Sequence, residues 1–236
     1  MADTTTETET TTAAPNRRRF LLGGGVLAAG ALLAACGDDD TAGGTTTTAG
    51  GAAGSTSTTA PAEEPTTTTA GGTELTGDLA VAALAASLEV LAVSTYGAAL
   101  DAAGSGALGE VPPAVAEFVT VAMAQHQEHL DAWNEVLTGA GEEEVTEPPA
   151  DLAETVNGMF AEVTDVAGAA NLALTLEGIA SATYLGALPV LEDPAAIELA
   201  GSILCIDRQH EAVLLFALGQ YPVPDVFANT EAAYSG

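Results

Sequence analysis

The chain has 236 residues and carries 33 Asp and Glu against four Lys and Arg, which gives a formal net charge of −29. A chain this acidic is repelled by nucleic-acid phosphates and by anionic membrane surfaces, so neither is an expected partner through charge. Long segments rich in Ala and Leu, separated by Gly and Pro, predict an all-α fold.

Residues 1–35 predict an export signal. Residues 16–21 (NRRRFL) resemble a twin-arginine signal, and an apolar run follows them to Ala35. The run leads into Leu-Ala-Ala-Cys, ending at Cys36, which resembles a bacterial lipoprotein processing site. At about 15 residues the run is short for a membrane span, which needs roughly 20. We therefore expect an exported protein that a lipid on Cys36 anchors to the outer face of the cell membrane.

Residues 36–75 predict a disordered tether. The segment is mostly Thr, Gly, Ala and Pro, so it cannot bury enough apolar surface to offset the entropy of ordering its backbone. One helical domain should follow over residues 76–219, and residues 220–236 should form a C-terminal tail. We expect the tail to lay its aromatic residues, among them Tyr221 and Phe227, over one end of the domain.

Apolar periodicity and flanking Gly and Pro residues predict four long helices in the domain. We expect Thr76 or Asp78 to cap the first helix and Asp193 to cap the fourth. The predicted helices cover about 76–104, 112–139, 163–188 and 193–219, with a weaker helical segment over 152–160. Short first and third connections predict antiparallel hairpins, whereas the long middle connection can cross the whole bundle. The architecture expected is two hairpins joined by one crossover.

Two segments of the domain repeat each other. Residues 88–100 read LEVLAVSTYGAAL and residues 176–188 read LEGIASATYLGAL. The repeat aligns a Glu and a Tyr in each copy: Glu89 with Glu177, and Tyr96 with Tyr184. A pair spaced i, i+3 follows each copy: His126 with His129, and Asp207 with His210. A helix with one carboxylate and a helix with such a pair, present twice, is how a bundle surrounds a metal pair.

Helical geometry turns the candidate ligands inward. At about 100° per residue, each of them falls on or about 60° beside the apolar stripe of its helix. Buried carboxylates need a cation or shared protons, and Arg208 is the only Lys or Arg after residue 19. We therefore predict a metal site, with Glu211 either a spare ligand or a rim residue. The candidate ligands are Glu89, His126, His129, Glu177, Asp207 and His210.

The two repeated tyrosines admit two interpretations. Each hydroxyl could bond a buried carboxylate as part of the core. Alternatively, Tyr96 and Tyr184 could orient a metal ligand or donate an electron during an oxidation. We expect Trp133 to be a packing residue.

At these residues the domain resembles the ferritin-like superfamily, which includes bacterioferritin and rubrerythrin, and it is most similar to exported bacterial and archaeal ferritin-like domain proteins. The resemblance covers about residues 76–219 and implies a ferritin-like four-helix bundle. It implies terminal carboxylate ligands at Glu89 and Glu177, nitrogen ligands at His129 and His210, and a bridging carboxylate at Asp207. His126 departs from the family pattern, because it occupies the other bridging position and one imidazole nitrogen holds a single ion.

The resemblance implies one or two transition-metal ions. Iron is the metal we expect first, with manganese, zinc or copper as alternatives. The additional imidazole ligand shifts the preference of the site towards zinc or copper. Three functions follow: a di-metal oxidoreductase of the ferroxidase or peroxidase type, a non-catalytic metal-binding lipoprotein, and a structural envelope protein with a degenerate site. A lipid anchor and a long tether fit poorly with a closed ferritin cage, so we do not expect one.

Overall fold

The structure is a computed structural model that describes residues 66–68 and 74–236 of the chain. The predicted export signal, the predicted lipidation site at Cys36 and most of the predicted tether lie outside the described residues. Within these residues the chain forms a short β hairpin and five helices. The strands are β1 (Thr66–Thr68) and β2 (Glu74–Thr76), and the helices are α1 (Asp78–Gly104), α2 (Pro113–Gly139), α3 (Ala150–Ala161), α4 (Val166–Ala187) and α5 (Pro194–Ala217).

The four long helices form the predicted bundle. Helix α1 packs most extensively against α2, and α4 packs most extensively against α5, while α1 also contacts α4. The two pairs are the expected hairpins, and the long connection between α2 and α4 contains the shorter helix α3. The all-α prediction is therefore confirmed, with α3 as the weaker segment that the sequence indicated.

Two helix starts differ from the prediction. Neither Thr76 nor Asp78 caps α1, because Gly77 precedes the helix and makes no side-chain cap. Instead, the Asp78 carboxylate accepts hydrogen bonds from the backbone N–H groups of Glu192 and Asp193, at 2.9 and 2.7 Å. Asp78 thus fastens the start of α1 to the loop before α5.

Helix α4 begins three residues later than predicted, because Asp165 caps it. The Asp165 Oδ1 atom accepts a hydrogen bond from the Gly168 N–H at 2.7 Å, which satisfies one of the free donors of the first turn. The predicted cap of α5 is confirmed, since Asp193 Oδ1 accepts from the Ala195 N–H at 2.9 Å.

The main apolar core lies towards the α1 start and the α5 start. Trp133, Leu137 and Ile203 are fully buried there against a face of α1 made largely of alanine. Leu75 is also buried in this core, although it falls in the predicted tether. A buried leucine stabilises the packed state, so the ordered domain begins before residue 76. Among the described helices, α1 is long and apolar enough to cross a membrane, but most of that window is buried inside the bundle.

The tail does not cover an end of the bundle as predicted. Tyr221 and Phe227 are 74% and 84% exposed. The segment between them contains two prolines, which lack an N–H donor and keep the backbone extended. Contact with the bundle is made further on by Tyr234, whose N–H donates to Thr183 Oγ1 and whose hydroxyl donates to Asp151.

Candidate metal centre

All six predicted ligands meet in one buried polar cluster inside the bundle. The cluster draws Glu89 from α1, His126 and His129 from α2, Glu177 from α4, and Asp207 and His210 from α5. Five of the six residues are buried, and the His129 side chain is 13% exposed. The inward direction that helical spacing predicted for these side chains is therefore what the structure has.

His126 lies between the two repeated glutamates. Its Nδ1 atom is 2.7 Å from Glu89 Oε2, and its Nε2 atom is 3.1 Å from Glu177 Oε1. A ring with both nitrogens bonded to carboxylates donates through both when it is protonated. The imidazole therefore links the two halves of the repeat across the bundle.

The cluster divides into two overlapping groups that could each hold a metal ion. One group is His126, Glu177, Asp207 and His210, and the other is Glu89, His126 and His129. In each group the candidate ligand atoms lie within 4.8 Å of one another. His126 belongs to both groups, so the arrangement could serve two ions only by sharing or releasing this residue.

Several buried atoms of the cluster make no hydrogen bond within the described part of the chain. They are His129 Nδ1, Glu177 Oε2, both carboxylate oxygens of Asp207, and His210 Nδ1. Buried polar atoms are almost always hydrogen-bonded, because leaving them unpaired is costly. Oxygen and imidazole nitrogen atoms are also the donors that iron, manganese and zinc accept in proteins. The residues present therefore fit a transition-metal ion.

The repeated tyrosines bond to the glutamates in a crossed arrangement. The Tyr96 hydroxyl donates to Glu177 Oε1 at 2.5 Å, and the Tyr184 hydroxyl donates to Glu89 Oε1 at 2.6 Å. Each tyrosine hydroxyl thus bonds the glutamate of the other repeat, and a bond to a buried carboxylate is what the first interpretation of these residues predicted. Trp133 does more than pack, because its indole N–H donates to the Tyr184 hydroxyl at 2.9 Å.

Two supporting residues were not found by sequence reasoning. Gln125 Oε1 lies 2.7 Å from His210 Nε2, and with the oxygen as acceptor it leaves the His210 Nδ1 lone pair facing the cluster. Ser181 donates to Glu211, which also accepts from Arg208 at 2.8 Å. Glu211 is therefore held by Ser181 and Arg208, outside the two candidate groups. Both pairings join residues far apart in sequence, which no local pattern signals.

Burial and hydrogen bonding set the charges of the cluster in its metal-free form. Burial alone would raise the pKa of each glutamate, but the hydrogen bonds and charge of His126 contribute most to lowering the pKa of Glu89 and of Glu177 to about 2. Burial would lower the pKa of His126, but its hydrogen bonds to both glutamates raise it well above the usual range. Burial, together with the charges of Glu89 and Glu177, raises the pKa of Asp207.

Comparison with known families gives a match over most of the helical domain. A model of the ferritin-like domain family matches residues 77–220, which is more than half of the chain. No curated protein and no solved structure gives a significant match.

The pKa shifts of Glu89, Glu177, His126 and Asp207 predict how the stability of the metal-free protein changes with pH. The lowered glutamate pKa values contribute stability that is present above about pH 4.5 and is lost as the pH falls towards 2. The raised pKa values of Asp207 and His126 contribute stability at low pH, which is lost as the pH rises through each folded-state pKa. Chemical unfolding should therefore show a maximum near pH 4.5 and a decline at higher pH that steepens above about 6.5.

Asp207→Asn provides the control for this pH profile, because it keeps the shape of the side chain and removes its titration. The variant should lose less stability than the wild type between about pH 5 and pH 8. An equal loss in both proteins would show that general charge repulsion in this acidic chain, and not Asp207, sets the decline.

Proposed function

The chain belongs to the ferritin-like domain family, and on that premise we propose that its buried cluster binds one or two transition-metal ions, iron first, and oxidises Fe(II) with dioxygen or peroxide. The observation that carries the proposal is the set of buried nitrogen and oxygen atoms without hydrogen bonds on His129, Glu177, Asp207 and His210. Atoms of these types, brought together from three helices, are a ligand set for a cation. We further propose that the protein works outside the cell membrane, anchored through Cys36.

The two candidate groups would hold metal with different strength. The four-residue group offers carboxylates from Glu177 on α4 and Asp207 on α5, together with His126 and His210. The group on α1 and α2 offers Glu89, His126 and His129, with only one carboxylate. More negative charge attracts a divalent cation more strongly. We therefore expect the first ion to bind between α4 and α5.

The protein's own residues prepare the site for redox chemistry. Bound iron would supply one-electron exchange with dioxygen or peroxide. Tyr96 and Tyr184 hold one oxygen of Glu177 and of Glu89 and so fix the direction of both carboxylates. Trp133 bonds and stacks on Tyr184, with ring centroids 6.3 Å apart, so the two rings can pass an electron towards the Glu89 side.

A small cavity beside the cluster offers room for a reactant. It has a volume of about 20 Å³, and Glu89, Tyr96, His126 and Glu177 are among its lining residues. That volume suffices for one molecule of about the size of water.

A second function has a specific observation in its favour. His126 occupies a position where the family pattern has a carboxylate that bridges two metal ions. Both of its ring nitrogens are hydrogen-bonded, one to Glu89 and one to Glu177. This arrangement favours one firmly bound ion, and a single zinc or copper ion would make the protein a non-catalytic metal-binding lipoprotein.

Metal analysis and oxygen consumption separate the two functions. The purified protein is loaded with Fe(II) without oxygen, its bound iron is counted, and oxygen is then added. Bound iron with oxygen uptake faster than that of free Fe(II) supports the oxidoreductase. A tightly bound zinc or copper ion that iron cannot displace supports the second function, and failure to bind any metal contradicts both.

Replacement of Glu177 tests the ligand assignment. Glu177→Gln keeps the hydrogen bond from Tyr96 and removes the charge, so iron affinity should fall about 100-fold or more, since even residues that only support a ligand contribute 10- to 100-fold. Isothermal titration calorimetry with Fe(II) under argon measures this affinity. Glu198→Gln, on the exposed face of α5, is the matched control and should bind as the wild type does. Equal affinities for all three proteins would refute the assignment.

Replacement of His126 tests the asymmetry of the site. His126→Glu restores a carboxylate that can bridge two ions, so the iron bound per chain should rise towards two. Gln127→Glu adds the same charge at the adjacent exposed position and should leave the stoichiometry of the wild type unchanged. A rise in both variants would assign the effect to charge alone.

Replacement of Cys36 tests the anchor. In the producing cells, Cys36→Ser removes the thiol that would carry the lipid, so the protein should move from the membrane fraction to the soluble exported fraction. Cys205→Ser, on the exposed face of α5, is the control and should remain with the membrane. Retention of the Cys36→Ser protein in the membrane fraction would contradict the lipid anchor.

A further inference from the structure

One end of the bundle contains a large cavity, called the end cavity below. It has a volume of about 670 Å³ and lies between the last turns of α1 and α5, the first turns of α2 and α4, and the loop between α1 and α2. Pockets for small organic ligands have volumes of roughly 300–1,000 Å³. The end cavity is therefore the size of a ligand site and far exceeds the packing defects of a protein core.

The walls of the end cavity are almost entirely apolar. Of the residues that line it, only Thr95, Tyr96 and Glu110 have polar side chains, and none is Lys or Arg. The one arginine of the described residues, Arg208, is bonded to Glu211. An anionic ligand would therefore find no counter-charge and would face Glu110, whereas the apolar walls favour a neutral ligand.

The end cavity reaches the metal centre through residues that belong to both. Tyr96 lines the cavity and donates its hydroxyl proton to Glu177. Phe118 lines the cavity and contacts His210 edge-on, with ring centroids 5.8 Å apart. Leu176, another lining residue, immediately precedes Glu177 in the chain. A ligand in the end cavity would thus lie next to side chains that hold the cluster.

We propose that the end cavity binds a neutral hydrocarbon that carries a hydroxyl group. We infer a hydroxyl group on the ligand because the hydroxyl hydrogens of Thr95 and Tyr96 are already engaged. They form hydrogen bonds to the Leu91 carbonyl and to Glu177. Only their lone pairs remain, so the polar group of the ligand must be a hydrogen-bond donor. A hydroxyl on a hydrocarbon supplies that donor and leaves the remaining surface apolar.

Other occupants fit the walls less well. A polypeptide segment would bring N–H and C=O groups into a space that offers them almost no partners, which is costly. A fatty-acid carboxylate would lack a cation. A second copy of the chain could cover the exposed Val213 and Phe216 near the opening, and that outcome is tested below through the oligomeric state.

Binding to the end cavity does not require the metal, but its role as the substrate pocket of the site rests on the proposed function. Displacement of a fluorescent apolar dye, N-phenyl-1-naphthylamine, from the metal-free protein measures binding alone. At about pH 8, 1-decanol should displace the dye at a concentration about tenfold or more below that of decanoate, because decanoate carries a charge that the cavity cannot balance and has no hydroxyl donor. Equal displacement by both would overturn the proposal.

Filling the end cavity provides the structural test. Ala99→Phe with Ala170→Phe places two rings in the space, and dye and decanol binding should be lost. Ala124→Phe, at an exposed position of α2 outside the cavity, is the matched control and should retain both. Val166→Trp, at the rim, replaces the double variant if that variant loses its helical circular dichroism. Retained binding in a folded cavity-filled variant would overturn the proposal.

Two further measurements keep the proposals apart. Iron binding should be unchanged in the cavity-filled variant, so a protein that binds decanol but no iron supports the end cavity and contradicts only the proposed metal function. A protein that binds iron but no decanol contradicts only the end cavity. Light scattering gives the mass of the protein in solution. If the wild type is a dimer and the cavity-filled variant is a monomer, the end cavity is an interface with a second copy of the chain, and the ligand proposal is overturned.

Discussion

The arrangement of this bundle depends on one electrostatic constraint: three carboxyl groups lie buried where no lysine or arginine can neutralise them. Arg208, the single arginine of the described residues, is bonded to Glu211 instead. In the metal-free form His126 takes the place of that cation, with its two ring nitrogens on Glu89 and Glu177. Asp207 has no such partner among the described residues, and burial raises its pKa. The charges of Glu89 and Glu177 are therefore balanced by His126, whereas the Asp207 carboxyl has no partner among the described residues.

The crossed tyrosines explain how the two halves act as one site. Tyr96 on α1 bonds Glu177 on α4, and Tyr184 on α4 bonds Glu89 on α1, so each glutamate takes its tyrosine partner from the other repeat. Each hairpin is completed by the other, so the geometry of the cluster depends on how α1 packs against α4.

The sequence predicted most of this site, and the parts that it missed have a common physical reason. Periodicity and spacing located the helices and turned all six candidate ligands inward, because both features are local and follow from the helical repeat. The crossed tyrosine bonds, the support of His210 by Gln125 and the bond of Asp78 to the loop before α5 join residues far apart in sequence. Such contacts depend on how the helices pack together, which periodicity does not specify.

The two sides of the buried cluster differ in polarity, because one side faces the apolar end of the bundle. Polar groups close the cluster on the Trp133 side, where the indole, Tyr184 and Glu89 form a continuous chain of hydrogen bonds. On the other side Tyr96 and Phe118, which contact Glu177 and His210, line a cavity of about 670 Å³. The proposed neutral ligand would therefore meet the cluster at Tyr96, on the side away from Trp133 and Tyr184.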